Sequence, residues 1–255
     1  MRYEILGPVR VVDASGVSHI SARKVEALFA ALLIRADQVV RAEQLIGEIW
    51  VDQAPRRANA GLHVYVSQLR KFLHRDGRTD PIVTRLPGYL LHTGDDELDV
   101  RTFLHLVEAG RVGLRDGRPE QAAARLEQAL ALWRGPVLGD LPRGVLGEGF
   151  ATWLMEERLQ GLEMLVDARL QIGRHRELVG RLYALTTEHP LHEAFYRQLM
   201  LALYRSERQA EALHVYQNAR QTLNVELGIE PCRALQELQR AILVADDRLS
   251  VLSAA

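Results

Sequence analysis

Short apolar runs broken by turn residues open the chain, and amphipathic helical spacing takes over after about the first hundred positions. Residues 3–6, 9–12 and 17–20 are brief strand-forming runs, separated by Gly7-Pro8 and by Asp13-Ala14-Ser15-Gly16. Ser21 stands where it can cap a helix over 22–35, in which Val25, Leu28, Phe29, Leu32 and Leu33 recur at helical intervals. A second helix over 41–50 offers Leu45, Ile46, Ile49 and Trp50 to a core. Pro55 suits the first turn of a third helix, predicted to run to His74. Residues 82–91 read as two strands around a Pro87-Gly88 turn.

Beyond the polar segment 93–98 the pattern is helical almost throughout. Asp99 is placed to cap a helix carrying Val100, Phe103, Leu104 and Val107. Helices over 118–133 and 150–172 follow, the first with Ala122, Ala123 and Ala129 for close approach. Segments 173–178 and 207–212 stand 34 residues apart, the tetratricopeptide period, which the earlier helices fit poorly. The predicted architecture is an α+β winged helix-turn-helix over residues 1–94, followed by an all-α tetratricopeptide-like helical domain over 95–255.

The third helix carries the chemistry. On a helical wheel Ala58, Leu62, Tyr65, Val66, Leu69, Phe72 and Leu73 take the core side. Arg56, Ala60, His63, Ser67, Lys71 and His74 take the other, with Arg70 at its flank and no carboxylate among them. Ala60 and Ser67 are small enough to let the helix sink into a major groove, where Arg, His and Ser donate to base edges. Cations at the helix end and in the next loop neutralise phosphates, and Arg85 near the hairpin tip suits a minor groove or backbone. The candidate DNA-binding residues are Arg56, Arg57, Asn59, His63, Tyr65, Ser67, Gln68, Arg70, Lys71, His74, Arg78 and Arg85. A basic helix by itself more often only solvates a surface. Three helices, the third basic, and then a hairpin give the order a winged helix requires.

Charge sharpens this picture. The chain has a formal net charge of −1. Residues 55–85 nevertheless hold seven cations against Asp76 and Asp80, a local excess of positive charge. The preponderance of arginine over lysine carries no functional weight, because a coding bias explains it equally well. A hydrophobic content of 47% supplies ordinary cores. One cysteine, Cys232, excludes an internal disulfide framework. The N-terminus lacks an apolar secretory segment, and no stretch approaches the roughly 18 apolar residues of a membrane helix, so a cytoplasmic, nucleoid-associated chain is expected. Glu188, His189, His192 and Glu193 resemble a metal cluster, but Pro190 interrupts them, and they read as a helix-hairpin junction. Trp133 and Trp153 read as packing residues. Phosphate-cradling, dinucleotide and nucleophile-elbow motifs are absent from the sequence, so no catalytic residue, cofactor or metal is expected.

Residues 62–73 followed by Gly88-Tyr89-Leu90-Leu91 are similar to an OmpR-type recognition helix and wing. Segments 98–103, 129–135, 189–193, 202–213 and 226–231 resemble a bacterial transcriptional activation domain. In this order they make the chain resemble the Streptomyces antibiotic regulatory protein family, with His192 and Glu207 where that family's pattern has Arg and Gly. The resemblance implies binding to promoter direct repeats as a dimer on DNA, and recruitment of RNA polymerase and its sigma factor, for a secondary-metabolite gene cluster. The competing readings are a helical-repeat scaffold that binds protein and a repressor that occludes promoters.

Overall fold

The computed structural model describes residues 1–75, 79–246 and 249. They form two compact units, one from residues 1–106 and 128–159, the other from 107–127 and the described residues from 160 onward. In chain order the first elements are β1 (Arg2–Glu4), β2 (Arg10–Asp13), β3 (Gly16–Ser18), α1 (Arg23–Ile34) and β4 (Val40–Arg41). Next come α2 (Ala42–Ile49), α3 (Ala58–Leu73), β5 (Ile82–Arg85), β6 (Gly88–Leu91) and β7 (Glu97–Leu98). The helices α4 (Asp99–Arg115), α5 (Pro119–Ala131) and α6 (Val145–Gln171) then pass through both units. The chain is completed by α7 (His175–Glu188), α8 (Glu193–Arg205), α9 (Gln209–Leu227) and α10 (Arg233–Leu243).

In the first unit one sheet has the order β3-β2-β1-β7, antiparallel except for the parallel β1–β7 pair. A second, antiparallel sheet has the order β4-β6-β5. The two-residue strands β4 and β7 were not expected, since two residues leave no periodic trace. The helix α1 buries Val25, Leu28, Phe29, Leu32 and Leu33, packed beside α2, α3 and β6, and the Tyr3 ring of β1 meets Phe29 edge-on at 5.7 Å. Ser21 does not cap this helix: the N-cap is Ala22, with no side-chain cap bond. The third helix begins at Ala58, three residues after Pro55, and the long helix begins at Val145, five before the expected Phe150.

Two buried carboxylates hold this unit together in ways spacing does not reveal. Asp99 starts α4 but does not cap it. Its carboxylate accepts the backbone N–H groups of Ile5 and Leu6 at 2.9–3.0 Å. Burial pushes its pKa up to about 6, against the pull of those N–H groups and of the Arg134 guanidinium. Glu48 of α2 is 7% exposed and accepts N–H groups from Gly144 (3.1 Å), Leu146 (2.7 Å) and Gly147 (3.1 Å). An acidic side chain almost a hundred residues away thus satisfies the orphan donors at the start of α6. Trp133 packs edge-on against Phe103 at 5.4 Å, with the Arg158 guanidinium over its ring. Trp153, expected to pack, is instead 43% exposed on α6, beside Phe150.

The second unit is made of helical hairpins. The glycines of α4 give the close approach: a Cβ at Gly113 would meet Ala122 of α5 at 3.1 Å. The 34-residue repeat maps onto its geometry, because α7 and α9 begin at His175 and Gln209. Each is preceded by a left-handed residue, Gly173 (φ 80°) and Glu207 (φ 64°). In both turns the following N–H reaches back five residues, Arg174 to Arg169 at 2.9 Å and Arg208 to Leu203 at 3.0 Å. The same turn closes α4 at Gly117, with Arg118 bonded to Gly113, outside the 34-residue register. Glu207 is therefore a side chain at a glycine position, and it is exposed. Glu207→Gly is expected to raise the unfolding free energy by about 1 kcal/mol, read as a higher urea midpoint with an unchanged slope. At the α7–α8 junction His189 and His192 lie against the Phe195 ring, and His192 Nε2 sits 3.2 Å from Glu163.

Candidate nucleic-acid interface

The helix-turn-helix pair is α2 and α3. Buried Ala58, Leu62, Val66, Leu69 and Leu73 seat α3 on the core. Tyr65 and Phe72, placed on the same side by the wheel, are only half-buried. The Tyr65 ring lies 5.6 Å from Trp50, and Lys24 Nζ stands 5.2 Å from the indole centroid. Gly61 makes this stack possible, because a Cβ there would meet the indole at 3.0 Å. Tyr65 thus packs on the side where the wheel places it, against a partner, Trp50, that the wheel does not identify.

The opposite side of α3 is a continuous exposed face of Asn59, Ala60, His63, Val64, Ser67, Gln68 and Lys71, continued by His74. Arg56 and Arg57 precede it in the exposed approach to the helix, and Arg85 ends β5, also exposed. Arg56, Arg57, Lys71 and Arg85 form no ion pair among the described residues. Arg78 lies outside the described residues. Val64, 53% exposed, was not anticipated as part of this face, although its spacing from Ala60 and Ser67 places it there. It offers a methyl-bearing surface of the kind that contacts thymine in a major groove.

Arg70 has a different occupation from the one expected. Its Nε and Nη2 donate to the Ile82 carbonyl at 3.2 and 2.9 Å, and Nη2 also donates to Thr84 Oγ1 at 3.0 Å. Asp80 pairs with Nε at 2.9 Å. The guanidinium is a strut that ties the last turn of α3 to β5. Arg75 is spent similarly, donating to the Phe72 and His74 carbonyls and pairing with Asp13 at 2.6 Å. The Ser15 hydroxyl and Arg75 together hold Asp13 down at about 2. The free positive charge of the region is thereby concentrated at both ends of α3 and at the hairpin.

The hairpin is pinned along its length. Arg85 pairs with Gly88, and Ala42 N–H at the start of α2 donates to the Pro87 carbonyl at 3.1 Å. The turn is made by Leu86 and Pro87 rather than by Pro87 and Gly88. Gly88 is a strand residue facing Arg41 of β4, where a Cβ would stand 1.8 Å from the Val40 carbonyl oxygen.

A three-helix core with a helix-turn-helix, a basic outward face and a three-stranded wing defines a winged-helix transcriptional regulator. Residues 19–91 match the family described as "Transcriptional regulatory protein, C terminal", and residues 98–243 match "Bacterial transcriptional activator domain". The chain belongs to the Streptomyces antibiotic regulatory protein family of transcriptional regulators. It is 38% identical to the regulatory protein DnrI of Streptomyces peucetius over 96% of this chain and 93% of that one. It is 40% identical to the regulatory protein AfsR of Streptomyces coelicolor over all of this chain, which spans only 25% of AfsR. A solved structure of Mycobacterium tuberculosis EmbR, in complex with a low-affinity phosphopeptide, superposes with a TM-score of 0.90 at 35% identity. That likeness covers 96% of this chain and 65% of EmbR. Among the described residues no helix is long and apolar enough to cross a membrane.

Proposed function

We propose that this chain is a sequence-specific, DNA-binding transcription activator working in the cytoplasm at the nucleoid, and not an enzyme. Residues 1–94 read promoter direct repeats, two protomers side by side, and residues 95–255 contribute the contacts that recruit RNA polymerase and its sigma factor. The regulated genes are a pathway-specific cluster for a secondary metabolite. The observation that carries this reading is the exposed, carboxylate-free face of α3, with His63, Val64, Ser67 and Gln68 at its centre and, at its two ends, Arg56, Arg57 and Lys71, which form no ion pair among the described residues. The central side chains suit base edges, and Arg56, Arg57, Lys71, His74, Arg78 and Arg85 suit phosphates.

The test is a footprint on genomic DNA followed by a salt titration of the recovered site. Arg57→Ala/Lys71→Ala/Arg85→Ala is expected to weaken binding about 100-fold near 0.1 M salt and to flatten the slope of log affinity against log salt by about 2–3. Arg70 is left intact in this variant, so that the wing stays seated. Unchanged affinity would overturn the reading in favour of a protein-binding scaffold. Transcription reconstituted with polymerase on the same promoter then distinguishes activation from occlusion: added protein should raise the transcript.

A further inference from the structure

The hairpin tip carries a side chain that its own fold cannot use. Leu86 is 96% exposed, the most exposed of the large hydrophobic residues described. It has no route back to the core. The turn is closed by the Arg85–Gly88 pair on one side and held by the Ala42–Pro87 bond on the other. The Arg70 strut fixes β5 below it. A protein-docking face generally needs a contiguous apolar patch of several hundred Å². Here the flanking Arg85 and Pro87 are exposed, and Val83, further down the same strand, is only 38% exposed. A single aliphatic side chain projecting from a stiff turn, with proline on one side and a cation on the other, has the form of a wedge.

We infer that Leu86 enters the minor groove beside the site read by α3 and partly unstacks one base step there, with Arg85 meeting the phosphates alongside. The inference rests on the reading of the chain as a duplex-DNA binder. Leucine and proline are among the residues that enter minor grooves in this way, and the kink they impose wraps more DNA onto the protein. The cost of unstacking depends on the step being opened, so the wedge selects for a flexible pyrimidine–purine step at a position α3 does not touch.

The experiment uses the full chain and duplexes carrying its footprinted site, with 2-aminopurine placed in turn along the flanking minor groove. Wild type should raise the fluorescence at one step, and Leu86→Ala should abolish most of that rise while weakening binding about fivefold. Leu86→Phe should retain the rise. Because the side chain is exposed, the thermal midpoint of Leu86→Ala should match wild type. An equal rise with Leu86→Ala, or tight binding by wild type with no rise at any step, overturns the wedge and leaves DNA binding standing. Failure of wild type to protect any duplex overturns both.

Discussion

Gly88→Ala is expected to lower the unfolding free energy of the first unit by about 3–4 kcal/mol and to abolish DNA binding with it. The added Cβ would sit 1.8 Å from the Val40 carbonyl oxygen and 2.9 Å from the Arg41 Cα. Both obstacles are backbone, so no side-chain rotation relieves them. The strand can accommodate a methyl only by leaving β4, which breaks the Val40–Tyr89 and Arg41–Gly88 pairs. The same movement pulls Pro87 away from Ala42 and lifts the wing from α2. Urea unfolding and duplex binding measured on one preparation check both halves. Gly180→Ala is the control: its helical site is open, and the same methyl there should stabilise the chain by about 0.5–1 kcal/mol. A Gly88→Ala protein as stable as wild type would mean that β4 and β6 are not held at this spacing.

Glu48→Ala should cost about 3 kcal/mol, the second largest effect. The substitution leaves the N–H groups of Gly144 and Gly147 buried without an acceptor, and that of Leu146 half-buried. It also removes a negative charge from the positive end of α6. Glu48→Gln keeps the shape and one good acceptor, so it should lose about half as much. Equal stability of Glu48→Ala and wild type in urea would remove Glu48 from the account of how α6 is started.

Much of the first unit was legible in the chain because its elements are long enough to show a period. Five apolar positions of α1 and the core side of α3 follow helical spacing, and the structure buries Leu62, Val66, Leu69 and Leu73 accordingly. The exposed face of α3 was legible for the same reason, as the complement of the core side. Arg70 was not. Its charge and its place on the wheel flank point outward, and only the position of β5 turns its guanidinium inward to Ile82 and Thr84. The wheel places Tyr65 on the core side, but its partner Trp50 lies beyond the helix that carries it and leaves no trace in that helix's spacing. Val64, named on neither side of the wheel, lies on the outer face at 53% exposure.

Local sequence determined where the helices run, which side of each is apolar, and that a basic helix precedes a hairpin, because those properties depend on neighbours within a few residues. The 34-residue repeat likewise foretold two equivalent turns, and Glu207 marks the glycine position within it. Only the tertiary structure decided which polar groups are spent inside the protein and which remain for DNA. Asp99 and Glu48 serve backbone donors almost a hundred positions away, and Arg70 and Arg75 hold a strand and a helix end. Such pairings are set by where chain segments meet in space, and no periodicity along the sequence records them.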